Sequence, residues 1–350
     1  MRVPNLCDLV TILRFAPQSF ASYMDIALNI GWVVLGLAGL YYGAEWLVRG
    51  AAGIALMAGI STLVVGLTIV AFGTSMPELL VSIQANLNGS GDIALGNVIG
   101  SNICNIGLVL GVAAVMTPIE VHVQFIKREL PILVAVSLVF VAMLWHDQTI
   151  DRIEGLIFSI AIIIYTIAAI LIARQNPDDP IAAVEDELEP ESEDETAELA
   201  SKRILKNAGL IVVGLVLLAL GADRLVVGGK FLASAFGVSE ALIALTVVAF
   251  GTSLPELATT VIACLKQESD LAAGNAIGSC LFNLLCVAGF TALIKPLNAT
   301  SIEPLDLCVM VAFAVATLLL MRTNRPLGRT SGIILLASYL VYIVVRAIQG

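Results

Sequence analysis

Apolar residues run in long blocks along this chain, separated by short polar stretches. A helix that crosses the hydrocarbon core of a bilayer needs about 20 predominantly apolar residues. Ten windows fit or approach that length: 25–47, 60–87, 94–116, 129–145, 153–173, 205–227, 239–265, 271–294, 305–321 and 331–348. The pattern predicts an all-α polytopic membrane protein with ten transmembrane helices. A polar stretch, 175–203, divides them five and five. Five is odd, so the second set enters the membrane in the opposite direction. The two five-helix halves, 24–174 and 204–350, therefore have inverted topology.

Lys and Arg concentrate in cytoplasmic loops. The loops after spans 1, 3, 5, 7 and 9 carry eleven of them, and the opposite side, with both termini, carries seven. That difference predicts both termini outside and the 175–203 loop in the cytoplasm. The expected location is the plasma membrane, the inner membrane in a Gram-negative cell. Residues 1–23 are interrupted by Arg14 and Pro17 and lack the small-residue cleavage site of a signal peptide. They read as an N-terminal extension, with Met24 as an alternative start.

Composition agrees with the membrane assignment: 59% of residues are hydrophobic and 13% charged, against about half and a quarter in soluble domains. The net charge of −10 is local. Residues 175–200 hold eleven Asp or Glu and no Lys or Arg, so the rest of the chain carries −10 + 11 = +1. This acidic run reads as a solvated connector, and it lacks the Asp/Gly spacing of a calcium-binding EF-hand. No basic cluster suggests a nucleic-acid partner. The six cysteines fall mostly in apolar stretches without CxxC spacing, and His122 and His146 lie near predicted helix ends. No permanently bound cofactor is expected; the expected partners are membrane lipid and small ions.

The two halves share more than hydropathy. "AFGTSMPE" at 71–78 returns as "AFGTSLPE" at 249–256, an offset of 178. Between 67–111 and 245–289 there are 23 identities in 45 positions without a gap. Inverted repeats of this kind mark many secondary transporters, whose site lies near the midplane where the repeats meet.

The repeated phrase has a chemical consequence. Pro77 has no amide hydrogen and clashes with the carbonyl four residues back, that of Gly73, so the helix is expected to break there. Pro255 and Gly251 repeat the arrangement. Carbonyls around Ala71–Thr74 and Ala249–Thr252, with the hydroxyls of Thr74, Ser75, Thr252 and Ser253, are then expected to face a polar cavity, since lipid does not tolerate them. Glu78 and Glu256 follow within a turn. An ionisable residue at that depth costs at least about 2.5–3.5 kcal/mol and marks an ion pathway by default. Two carboxylates among hydroxyl and carbonyl oxygens suit a hard cation such as calcium; zinc or copper would favour His and Cys.

Each repeat continues with "GNVIGSNICN" (96–105) or "GNAIGSCLFN" (274–283). Asn97, Ser101 and Asn105 are four apart and share a helix face, as do Asn275, Ser279 and Asn283. They could complete an oxygen shell or simply join helices through hydrogen bonds. Glu45 and Asp223 are equivalent under the same offset; Arg49 four residues after Glu45 makes a helical pair and suggests a helix-end or gating role. An intramembrane hydrolase using Ser75 or Ser253 would need a base within reach, and neither histidine belongs to the repeat.

The paired GTSxPE phrases, each followed by its GN-x-IGS segment, resemble the two alpha-repeats of the calcium/cation antiporter superfamily, in particular its prokaryotic sodium/calcium exchanger branch. The resemblance covers the chain from about residue 25 onward. It implies ions bound among spans 2, 3, 7 and 8, and alternating access in which sodium enters as calcium leaves, with a monomer sufficient for transport. The implied calcium ligands are Glu78 and Glu256 with the carbonyls of Thr74 and Thr252. Sodium would add the Ala71 and Ala249 carbonyls and the hydroxyls of Ser75, Ser253, Ser101 and Ser279, with Asn105 at the centre. Several relatives carry Asp where this chain has Asn283, a departure that bears on sodium number, potassium dependence and response to voltage. Proton-coupled cation exchange, with Glu78 and Glu256 titrating instead of binding sodium, is the alternative.

Overall fold

The computed structural model describes residues 6–119, 125–175, 197–235, 249–298, 302–322 and 326–349. Apart from two short strand pairings, the described elements are helices. In chain order they are α1 (Leu6–Ala58), α2 (Thr62–Thr74), α3 (Met76–Leu87), α4 (Gly91–Met116), α5 (Leu130–Asp147), α6 (Arg152–Gln175), α7 (Ala197–Ala235), α8 (Leu254–Leu265), α9 (Ser269–Ile294), α10 (Pro304–Met321) and α11 (Arg329–Gln349). Among the described residues eight helices are long and apolar enough to cross a membrane, and the bent pair α2–α3 makes a ninth span. The window 239–265 falls partly outside the described residues; its described part holds the turn Ala249–Gly251 and α8.

Helices run past two of the hydropathy boundaries. Residues 6–23 are helical and continuous with α1, and α7 begins at Ala197, within the stretch 175–203. A polar helical turn costs nothing in water, so hydropathy alone does not mark where a helix emerging from the membrane stops.

The 178-residue offset reappears as packing. Helices α1 and α7 run antiparallel along a seam of glycines spaced seven apart: Gly36, Gly43 and Gly50 on one, Gly214, Gly221 and Gly228 on the other. A methyl placed on Gly36 would lie 2.8 Å from the Gly221 carbonyl, and one on Gly43 would lie 2.8 Å from that of Gly214. Gly50 and Gly228 meet the carbonyls of Asn207 and Asn29, themselves an equivalent pair. Close backbone approach through small residues is how helices associate where lipid removes the hydrophobic drive. The same device joins α6 to α9 at Gly155 and Gly289, and α4 to α11 at Gly111 and Gly332.

Two short pairings tie loops across the halves. Strand β1 (Thr149–Ile150) pairs antiparallel with β2 (Leu297–Asn298), and Ile119 bridges Leu327. Around these, α4 and α9 are the most enclosed spans, with 78% and 83% of their apolar windows buried, whereas α11 has 11%. The centre is therefore built from the repeated motifs, and the peripheral helices turn apolar side chains toward lipid.

A further repeated feature lies outside the two motifs. Tyr165 donates to Glu129 at 2.7 Å, and Tyr342 donates to Asp306 at 2.9 Å. Each carboxylate also meets an arginine, Arg128 for Glu129 and Arg346 for Asp306. The pairs are related by an offset of 177 and differ in carboxylate, so counting identities at 178 passes over them. They fasten α6 to the start of α5 and α11 to the start of α10.

Candidate functional site

The helix breaks fall where the prolines place them. Ser75 has φ −82° and ψ 2°, and Ser253 has φ −88° and ψ 7°, both in the bridge region between helical and extended backbone. Pro77 and Pro255 each take the second position of the following helix, where a missing amide hydrogen is harmless. The bend between α2 and α3 is 40°. The Ala71 carbonyl keeps its helical bond, accepting the Ser75 amide at 3.0 Å, and it also accepts from the Thr74 hydroxyl at 3.4 Å. The break begins only after this last helical bond. Gly73 and Gly251 leave room for α7, since a methyl on Gly73 would press on the tip of Leu215 at 2.5 Å and one on Gly251 on a methyl of Val226.

Glu78 and Glu256 sit at the first turns of α3 and α8 with no exposed surface. Glu78 Oε1 accepts from Ser101 at 3.4 Å and from Ser253, of the other half, at 3.3 Å. Glu256 Oε1 accepts from Ser75, again across the halves, at 3.5 Å. Ser253 also reaches Ser101 at 3.4 Å, and Thr74 and Ser279 hydroxyls lie 3.4 Å apart. Carboxylates and hydroxyls from both repeats thus converge on one buried place.

Asn97 and Asn275 hold the two halves together reciprocally. Asn97 Nδ2 donates to the Glu78 carbonyl at 3.2 Å and to Ser82 at 3.0 Å, while its Oδ1 accepts from Thr252 at 3.3 Å. Asn275 Nδ2 donates to the Glu256 carbonyl at 3.2 Å and to Thr260 at 3.1 Å, and its Oδ1 accepts from Thr74 at 3.2 Å. Every one of these bonds has its mate at the 178 offset. Ser82 and Thr260 were not singled out from the sequence. Their signal was present as a hydroxyl in both repeats, but not as an identity.

Asn105 and Asn283 are fully buried, and all four of their amide atoms lack a hydrogen-bond partner. The remaining carboxylate oxygens, Glu78 Oε2 and Glu256 Oε2, also lack one. Native proteins leave few such atoms unsatisfied, and each costs about 1–3 kcal/mol, more when charged. A local change of helix type accompanies the asparagines: α4 is π-helical over Asn105–Leu110 and α9 over Phe282–Val287. The wider turn changes the direction of the side chains that follow from a simple four-residue repeat, and such bulges cluster at functional sites.

The structure therefore brings together Thr74, Ser75, Glu78, Ser101, Asn275 and Ser279 with Asn97, Thr252, Ser253 and Glu256. Nothing is described of the Ala249 side chain. Glu45 is paired with Lys266 at 3.8 Å, a partner the helical spacing to Arg49 did not suggest. Asp223 lies 3.5 Å from Arg224, which stacks 4.7 Å over Trp32. His122 lies outside the described residues. Among the described residues no group of three or more His, Cys, Asp and Glu could hold a metal. The donors that do converge are carboxylate, hydroxyl and amide oxygens, a set that suits hard cations.

The geometry has close counterparts. The sodium-calcium exchanger NCX_Mj, soaked with 10 mM Na+ and zero Ca2+, superimposes with a TM-score of 0.78 at 31% identity, over 91% of this chain and 99% of that one. Inner membrane protein YrbG of Escherichia coli is 34% identical over 89% of this chain and 94% of its own length. The sodium/calcium exchanger MaX1 of Methanosarcina acetivorans is 29% identical over 91% and 99%. The family model described as sodium/calcium exchanger protein matches residues 28–171 and 206–348, one match for each half. With both repeats matched and the buried glutamates framed by their reciprocal bonds, this chain belongs to the sodium/calcium exchanger protein family.

Proposed function

We propose that this protein exchanges sodium for calcium across a membrane by alternating access, with both ions bound between Glu78 and Glu256. The observation that carries the reading is the reciprocal bonding of Ser75 to Glu256 and of Ser253 to Glu78, which makes one site from two halves. Two glutamates neutralise one divalent cation. Thr74, Ser75, Ser101 and Asn105, with their mates Thr252, Ser253, Ser279 and Asn283, supply neutral oxygens; the Ala249 carbonyl and, on giving up its bond from the Thr74 hydroxyl, the Ala71 carbonyl complete the proposed sodium set.

Strand pairing supports a ten-span path. Loops joined by β1–β2 lie at one membrane face, so the chain crosses an even number of times between Ile150 and Leu297. Helices α6, α7 and α9 account for three crossings among the described residues, so an even count needs a further one, in keeping with the ten spans proposed from the sequence. The bridge Ile119–Leu327 fits the same parity, since α5 and α10 add two crossings between its ends. With the Lys and Arg distribution, both termini lie outside the cytoplasm.

A departure from the two-fold relation supports the alternating cycle. Helix α7 covers both breaks, Leu215 against Gly73 and Val226 against Gly251, and a cavity of about 440 Å³ lies between it and them. Leu37, the mate of Leu215 on α1, is 53% exposed. Two halves of matching sequence thus hold different conformations, and exchanging those conformations would expose the site to the other face.

Calcium uptake into proteoliposomes loaded with sodium and diluted into sodium-free buffer tests the function. Uptake is expected to require internal sodium and to ignore an imposed pH gradient; uptake driven by the pH gradient alone would overturn sodium coupling. A second expectation concerns the reciprocal asparagines. Asn275→Ala removes partners from Thr74, Thr260 and the Glu256 carbonyl, each worth about 1–3 kcal/mol when left buried. The calcium concentration for half-maximal uptake should rise about tenfold, equivalent to about 1.4 kcal/mol. Asn97→Ala should match it by symmetry, and an unchanged calcium dependence in both would show that the asparagines only glue helices.

A further inference from the structure

Helix α3 is buried at three positions only, Glu78, Ser82 and Asn86, which lie four apart on one face. Leu80 and Leu87, by contrast, are mostly exposed. At 1.5 Å per residue the polar stripe climbs about 12 Å from Glu78 to Asn86. Asn97 lines its lower part through Ser82. At its far end Asn86 Nδ2 donates to the Lys295 carbonyl at 2.5 Å and to that of Thr291 at 3.4 Å, and Lys295 Nζ returns a bond to the Asn86 carbonyl at 2.9 Å. Lys295 closes α9 immediately before β2, and Arg152, bonded to the Ile294 carbonyl at 3.3 Å, adds a second cation to this end.

The other repeat lacks this charge. The mates of Glu78, Ser82 and Asn86 are Glu256, Thr260 and Cys264, and the Cys264 thiol approaches the Ala113 carbonyl at 4.0 Å. The mate of Lys295 is Thr117, which ends α4 with nearly the same backbone, φ −137° and ψ 126° against −148° and 131°. The end bearing Lys295 thus has an ammonium bonded to a backbone carbonyl, whereas the opposite end has a hydroxyl at the equivalent position, and its nearby Lys266, which caps α8, is balanced by Glu45 at 3.8 Å.

We propose that the Glu78–Ser82–Asn86 stripe is the cation route to the membrane face bearing β1–β2, and that Lys295 is the fixed charge at its mouth that weighs entering calcium against sodium. The proposal rests on the exchange reading. Repulsion by a fixed charge scales with the valence of the approaching ion, so calcium feels it twice as strongly as sodium. Lys295 also caps the carbonyl end of α3, which by itself would stabilise the fold but would not distinguish ions by charge.

The test uses full-length protein in proteoliposomes of one orientation, sorted by a terminal affinity tag, with half-saturating calcium and sodium measured at each face. Lys295→Met should lower half-saturating calcium at the β1–β2 face about fourfold and sodium about twofold, the squared relation that valence requires. The opposite face should not change, and Lys295→Arg should behave as wild type. Thr117→Lys should raise half-saturating calcium at the opposite face instead. Equal changes for both ions, changes at both faces, or none would overturn the proposal. If Lys295→Met fails to fold, Thr117→Lys decides alone: unchanged calcium dependence at its face overturns it. Failure of wild-type protein to exchange sodium for calcium would instead remove the exchange reading itself.

Discussion

Glu78→Gln and Glu256→Gln are each expected to lower sodium-driven calcium uptake by at least about a hundredfold, or about 2.7 kcal/mol, while leaving the protein folded. Glutamine keeps the shape and one acceptor oxygen, so the hydroxyls of Ser101 and Ser253 retain a partner at position 78 and that of Ser75 retains one at 256. What disappears is half of the charge that balances a divalent ion, in a place without solvent. The fold should not suffer, because burying a carboxylate without a compensating cation costs several kcal/mol, and the amide removes that cost. In calcium-free buffer the melting temperature of each variant should equal or exceed that of the wild type. Calcium at a hundred times its dissociation constant should stabilise the wild type by about 2.7 kcal/mol and the variants hardly at all. Transport above a tenth of the wild-type rate in either variant would rule out the two-glutamate site. The pairing of lost transport with a retained fold separates a ligand from a structural residue.

Gly221→Leu is expected to be the most damaging single change away from the site. Even a methyl at this position would come within 2.7 Å of the Leu40 amide and 2.9 Å of the Gly36 carbonyl. Both are backbone atoms, which cannot swing aside as a flexible side chain does. Helices α1 and α7 would have to separate along the seam, and the neighbouring contact at Gly43 and Gly214 would open with them. Overpacking typically costs about 1–3 kcal/mol, and a large side chain on a backbone–backbone contact belongs at the upper end of that range. The yield of monodisperse protein and its melting temperature should both fall. Gly209→Leu, on the same helix but with open space around it, should have little effect. A Gly221→Leu protein as stable as the wild type would show that the seam does not hold these helices together.

Much of this molecule is legible in the chain because a membrane makes strong demands. Spans of about 20 apolar residues follow from bilayer thickness. A carboxylate that survives inside such a span requires a purpose, and a proline beside it requires a break. The exact offset of Glu78 and Glu256 therefore led directly to a two-part site, and the structure places Ser75 and Ser253 across from each other's glutamate as a two-fold arrangement demands. The repeat also contains, without announcing them, the glycine seam at 36, 43, 50, 214, 221 and 228 and the asparagine pair at 29 and 207. Those are visible only when the offset is carried back from the motif into helices whose composition otherwise looks unremarkable.

Other features depend on distances between parts of the chain that no local pattern fixes. Spacing put Asn97, Ser101 and Asn105 on one face, but the π-helical turn at Asn105 changes the geometry there, and the partners of Asn97 make it a brace instead of an open ligand. The Glu129–Tyr165 and Asp306–Tyr342 pairs span 36 residues each, and the partner of Glu45 turned out to be Lys266, from the far half. The sequence by itself determined the membrane class, the duplication, the helix breaks and the two glutamates, because each follows from desolvation cost or backbone chemistry along a short segment. Only the tertiary structure decided which buried polar atoms find partners, that α7 and not α1 covers the breaks, and that Lys295 stands at one end of a polar stripe. Those outcomes are set by how two nearly equal halves pack in unequal conformations, and packing of that kind is a property of the whole chain.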